Sequence, residues 1–125
     1  MYINFNPNPK QKRVGDCVIR AICKVLDMDW DDAYIQLCLQ GFKMADMPSS
    51  NATWGAYLMS KGFIRKPIPN SCPDCFNIKQ FSQQYSDGIY IVGTGTHAVA
   101  IAFGNYFDSW DSGEEVIQYA WELAK

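Results

Sequence analysis

The chain has 125 residues, of which 48% are hydrophobic and 14% aromatic, and a formal net charge of −2. That suits one domain, residues 1–125, with enough apolar side chains to bury a core and no compositional sign of disorder. The balance of charge lacks the basic footprint of a nucleic-acid binder, and no apolar run approaches the roughly 20 residues of a membrane span.

Residues 1–14 predict an extended arm, because Pro7 and Pro9 forbid helix there. The arm has no basic segment followed by an apolar one, so it is not a signal peptide. Lys10-Gln11-Lys12-Arg13 reads as a solvated loop. A first helix is expected over about 16–27, with Gly15 in the preceding loop and Asp16 as its cap. Val18, Ala21, Ile22, Val25 and Leu26 fall on one helical face. Asp29-Trp30-Asp31-Asp32 announces a second helix, with Ala33, Tyr34, Leu37 and Cys38 on one face and Gly41 as its end. After a loop over 43–50, Asn51 is a candidate cap for a third helix carrying Trp54, Tyr57, Leu58 and Met59, which Gly62 stops.

Phe63-Ile64-Arg65-Lys66 predicts a short strand, and residues 70–75 a loop. A short helix from Ile78 to Gln84 is expected with Asn77 as its cap. From Gly88 the period changes. Ile89-Tyr90-Ile91-Val92 and His97 to Phe103 read as buried strands joined by the turn Gly93-Thr94-Gly95-Thr96. Gly104-Asn105 reads as a hairpin turn returning through Tyr106 to Trp110. Val116 to Trp121 leans toward a strand with a frayed end. Helices first and an antiparallel sheet after give an α+β class.

Cys17 falls where the first helix begins. Free backbone N–H groups and the positive dipole end favour a thiolate there. A thiol nucleophile needs a base and an acceptor to orient it. His97 is the one histidine in the chain, and Asp108 lies on the next strand. A two-residue Gly104-Asn105 turn would set Asp108 opposite Ile101, about 13 Å along the strand from His97. A different loop, a bulge or strong coiling is then required to join them. Asp111 competes as the acceptor, although that register sends it to the other face. Arg20, one turn after Cys17, either lowers the thiol pKa or pairs with Asp16 alone.

Cys17 opening a helix, then His97-Ala98-Val99-Ala100, then Asp108-Ser109-Trp110, resembles the layout of papain-like cysteine peptidases. The similarity is greatest to small bacterial or phage proteins of that fold and to bacteriocin-processing peptidases, and it spans positions 11 to 110. In the family an Asn-Ser-Trp segment orients and shields the histidine. Asp108 stands in place of that Asn, as acidic orienters do in some relatives. The family's oxyanion-donating Gln lies six positions before the cysteine, and Gln11 lies six before Cys17. The resemblance implies helices packed on a C-terminal antiparallel sheet. It also implies a cysteine hydrolase, acting as peptidase, isopeptidase or amidase, with Cys17, His97, Asp108 and Gln11 as its catalytic residues. The substrate would be a peptide or protein.

A second reading keeps the same fold as a catalytically silent binding or inhibitory module, such as a phage protein acting on a host factor. Five cysteines, an odd number without framework spacing, predict mostly free thiols and a cytoplasmic setting in a bacterial or phage-infected cell. Cys72 and Cys75 have metal-knuckle spacing but no second such pair, so no metal or cofactor is expected. Gly93-Thr94-Gly95-Thr96 lacks the lysine and following helix of a phosphate loop and reads as a turn.

Overall fold

The apolar spacing after Cys17 becomes α1 (Cys17–Leu26), whose Ala21, Ile22, Cys23 and Val25 are buried. The computed structural model describes residues 1–68 and 76–124. Among them, α2 (Trp30–Met44), α3 (Asn51–Ser60) and α4 (Ile78–Gln84) follow in order. The strands are β1 (Tyr2–Asn4), β2 (Phe63–Lys66), β3 (Ile89–Gly93), β4 (Ala98–Ala102), β5 (Asn105–Asp108) and β6 (Tyr119–Leu123). They form a six-stranded sheet in the order β1-β5-β4-β3-β6-β2. The molecule is therefore α+β, and no described helix is long and apolar enough to cross a membrane.

The sheet is mixed rather than antiparallel throughout. The arm expected over 1–14 contributes β1, which pairs parallel with β5 through Tyr2 and Tyr106, Ile3 and Phe107, and Asn4 and Asp108. The prolines that forbid helix there leave the three residues before them free to pair.

Both faces of the central strands are covered, which explains their nearly continuous apolar runs. One core joins α1, α2 and α3 to Ile91, Ala98, Ala100 and Trp121. The other joins Ile78 and Phe81 of α4 to Tyr90, Val92, Val99 and Ile101. The alternation in Ala98-Val99-Ala100-Ile101 thus has a packing cause. Small residues meet the three-helix side, where α1 crosses β4, and branched ones fill the α4 side.

Several local expectations are corrected. The Asp16 carboxylate makes no cap bond to α1, and the residue preceding α3 is Ser50 rather than Asn51. Asn51 instead accepts a hydrogen bond from Trp54 Nε1 at 3.0 Å. Helix α2 does not stop at Gly41 but continues to Met44. A Cβ at Gly41 would lie 2.7 Å from the Asp46 carbonyl oxygen, so this glycine admits the loop that folds back over the helix. Tyr34 is exposed although Ala33 and Leu37 are buried. In contrast, β2 has the expected bounds, and Asn77 caps α4 in a reciprocal pair with Gln80. Cys72 and Cys75 lie outside the described residues, as does the loop expected over 70–75.

The hairpin correction matters most for the site. Ala102 pairs with Asn105, so the turn residues are Phe103 and Gly104, with φ of 50° and 84°. Positive φ at both positions is the primed geometry that matches strand twist. Phe103 is exposed and carries an unfavourable conformation for a bulky side chain. Phe103→Asn, which creates the favoured Asn-Gly pair, should stabilise the protein by about 1 kcal/mol in urea denaturation.

Candidate active site

Shifting the turn back by one residue moves the register by two and keeps every side chain on its face. Ala100 now pairs with Phe107, which sets Asp108 level with Val99, two residues from His97 instead of four. Diagonal neighbours of this kind lie about 7–8 Å apart at the backbone, within reach of side chains. His97 Nε2 and Asp108 Oδ2 are 2.6 Å apart. The backbone of His97 is held by the preceding turn, where Thr94 N–H donates to the His97 carbonyl at 2.8 Å. The Trp110 ring stacks on the imidazole with centroids 5.3 Å apart.

With Nε2 engaged by Asp108, Nδ1 is the ring nitrogen left for a second partner. Burial pushes the Cys17 thiol up. Hydrogen bonding to His97 and to the Ala98 backbone, with the positive charges of His97 and Arg20, more than reverses this, so the thiol lies below its ordinary 9.0. Burial alone would lower the His97 pKa. Asp108 and Cys17 instead raise it from 6.5 to about 9. Burial likewise opposes the charge on Asp108, yet bonds to His97 and Ser112 and the nearby Arg20 hold its carboxyl below 3.8. All three directions favour a thiolate–imidazolium pair backed by a carboxylate.

Asp108 has a full set of partners. Its Oδ2 accepts from Ser112 Oγ at 2.6 Å, and its Oδ1 from Ser109 N–H at 2.8 Å. Arg20 Nη2 donates to Oδ1 at 2.8 Å, while Arg20 Nη1 donates to Asp16 Oδ1 at 2.7 Å. Asp16 Oδ2 accepts from Trp30 Nε1 at 2.9 Å. Arg20 therefore joins both carboxylates, not Asp16 alone. Asp16, Arg20 and Asp108 are all buried. The i, i+4 spacing of Asp16 and Arg20 is a sequence signal for their own pairing, but Arg20 lies opposite the apolar face of 18, 21, 22, 25 and 26, so no local pattern marks its burial against Asp108. Ser112 carries no comparable signal.

The other candidates lie elsewhere. Asp111 is exposed and accepts from Tyr106 Oη at 2.6 Å, so it is not the partner of His97. Gln11 is exposed, and its Nε2 donates to the carbonyls of Asn8 at 3.1 Å and Asn6 at 3.3 Å. It is not among the residues lining the cavity beside Cys17. The expected oxyanion geometry at Gln11 is thus not formed, because the arm folds onto itself around Asn6 and Asn8.

That cavity has a volume of about 380 Å³. Residues 15–19 form one wall and residues 94–98 another, and Leu37, the 48–51 segment, Trp54 and Tyr119 complete the lining. Compared with known proteins, the chain matches no family model, no curated protein and no solved structure.

The buried charges predict a pH-dependent stability. Asp108, with its carboxyl held below 3.8, contributes stability that is present above that value and lost as pH falls through its depressed pKa. Arg20→Met strands two buried carboxylates and should cost about 3–5 kcal/mol at pH 7. Urea denaturation should show the gap to wild type shrinking as pH falls below 3.8, where the wild type also loses the pair.

Proposed function

We propose that the chain is a cysteine hydrolase acting on an acyl group, as peptidase, isopeptidase or amidase, in the reducing cytoplasm of a bacterial or phage-infected cell. The observation that carries this reading is that Cys17 and His97 share one cavity, with Asp108 on the His97 Nε2 at 2.6 Å and the thiol depressed by the imidazole. A cavity beside the sulfur, lined by Asp16 and His97 together with apolar and neutral polar groups, offers room for a substrate. The peptidase resemblance of the His97-Ala98-Val99-Ala100 and Asp108-Ser109-Trp110 segments points the same way.

The chemistry follows the charge state of the pair. The Cys17 thiolate attacks the substrate carbonyl, forming a C–S bond and placing the π electrons on oxygen. The backbone N–H of Cys17, free at the start of α1, donates to that oxygen. Collapse breaks the carbonyl–nitrogen bond, and the leaving amine takes the proton of the His97 imidazolium. A thioester remains. Neutral His97 then takes a proton from water, whose oxygen attacks the thioester and releases the acid and the Cys17 thiolate. Asp108 holds the ring orientation and stabilises the imidazolium through both steps. Gln11 has no part in this scheme.

Iodoacetamide should alkylate Cys17 selectively below pH 7, ahead of Cys23, whose thiol burial pushes up to about 12. Cys17→Ala and His97→Ala should each abolish hydrolysis of a peptide or ester panel while the melting temperature stays within a few degrees. Unchanged hydrolysis in both variants would sink the reading, and selective alkylation without any acylation would favour the silent binding module.

The pH–rate profile supplies a separate check. Protonation of the leaving group needs imidazolium, so amide turnover should fall as pH rises through about 9. Asp108→Asn removes one cause of that raised value and should move the fall to lower pH.

A further inference from the structure

The Cys17 backbone supplies one donor for a developing oxyanion, and such sites work through more than one. Tyr119 lines the same cavity as Cys17. It sits on β6, opposite Gly93 of β3, and Gly93 in turn sits opposite Ala98 of β4. Ala98 is the residue whose backbone reaches the Cys17 sulfur. The three residues thus form one row across the sheet, with β6 and β4 about 10 Å apart. A tyrosine leaning along that row spans most of the distance.

The middle position shows that it does lean this way. A Cβ built on Gly93 would fall 2.1 Å from Tyr119 Cζ and 2.4 Å from its Oη. Any side chain at 93 would displace the phenol. Glycine is required there for close approach of the ring rather than for backbone conformation. On its other sides the ring meets the Arg65 guanidinium, 4.8 Å from its centroid, and the Trp54 ring at 5.9 Å. The phenol is held in place before any substrate arrives.

We propose that the Tyr119 hydroxyl donates to the substrate oxygen in the tetrahedral intermediate, the role that Gln11 does not fill. This rests on the reading of Cys17 as an acyl-transfer nucleophile. Burial raises the phenol pKa and the Cys17 charge adds to that rise, against the lowering effect of Arg65, so the hydroxyl keeps its proton and can donate it. A fixed donor of this kind is typically worth about 10²-fold in rate.

The test compares two reactions of the same sulfur in the full chain. p-Nitrophenyl acetate acylates Cys17 through a tetrahedral oxyanion and releases p-nitrophenolate. Iodoacetamide alkylates it by displacement of iodide, with no oxyanion formed. Tyr119→Phe, which keeps the ring contacts, should slow acylation about 10²-fold and leave alkylation within about twofold. Gly93→Ala, which pushes the phenol aside, should give the same split. Equal slowing of both reactions would assign Tyr119 to the thiolate and overturn the proposal, as would no slowing of either. Wild-type protein acylated no faster than Cys17→Ala would remove the hydrolase reading itself, and the oxyanion donor with it.

Discussion

A single guanidinium ties the two halves of this molecule together. Arg20 stands on α1 one turn beyond the nucleophile candidate, and Asp108 ends β5. The bond between them at 2.8 Å joins residues 88 apart in the chain. Buried charges of this kind add little net stability over apolar residues of the same volume, yet breaking one partner is costly. What the arrangement does supply is position. Helix α1 cannot slide or rotate on the sheet without stranding Asp108, and Cys17 lies at the end of α1 that this pairing fixes.

The same network divides the work on Asp108. One carboxylate oxygen faces Arg20 and the Ser109 N–H, and the other faces His97 and Ser112. The group that orients the imidazole is therefore itself held by three other partners, Arg20, Ser109 and Ser112. Supporting contacts of this kind hold a side chain to the narrow tolerance of a preorganised site. The Trp110 ring covers the imidazole on one face, and the strand-end turn 94–97 holds its backbone.

Where a side chain's local chemistry decides the outcome, the sequence was enough. The Phe63–Lys66 strand and the Ile78–Gln84 helix with its Asn77 cap follow from alternation and capping, and their bounds are those expected. Cys17, His97 and Asp108 were legible as residue types in order, and the structure brings them together. Their approach was not legible, because it depends on a turn at Phe103-Gly104, where a bulky residue takes a positive φ. Gly104-Asn105 was the stronger local signal, and tertiary pairing overrode it. Helix α2 passed Gly41 because contact with the 46–48 backbone, not helix termination, selects glycine there. Strand β1 was missed because its partner lies a hundred residues away, and no local period marks a three-residue edge strand.

The pairing of β1 with β5 also bears on the order of assembly. Met1 N donates to the Gly104 carbonyl, closing a span of 103 residues, and β1 then runs beside the strand that carries Asp108. Pairings of such long sequence separation form late, because loop closure costs entropy before it yields contacts. On a ribosome, Cys17 emerges while His97 and Asp108 are still unmade. The nascent thiol lacks both the imidazole and the strand-end carboxylate, so it keeps the modest reactivity of an ordinary cysteine. The groups that lower the Cys17 thiol pKa arrive only with the completed sheet, which makes its shifted acidity a property of the folded protein and not of the growing chain.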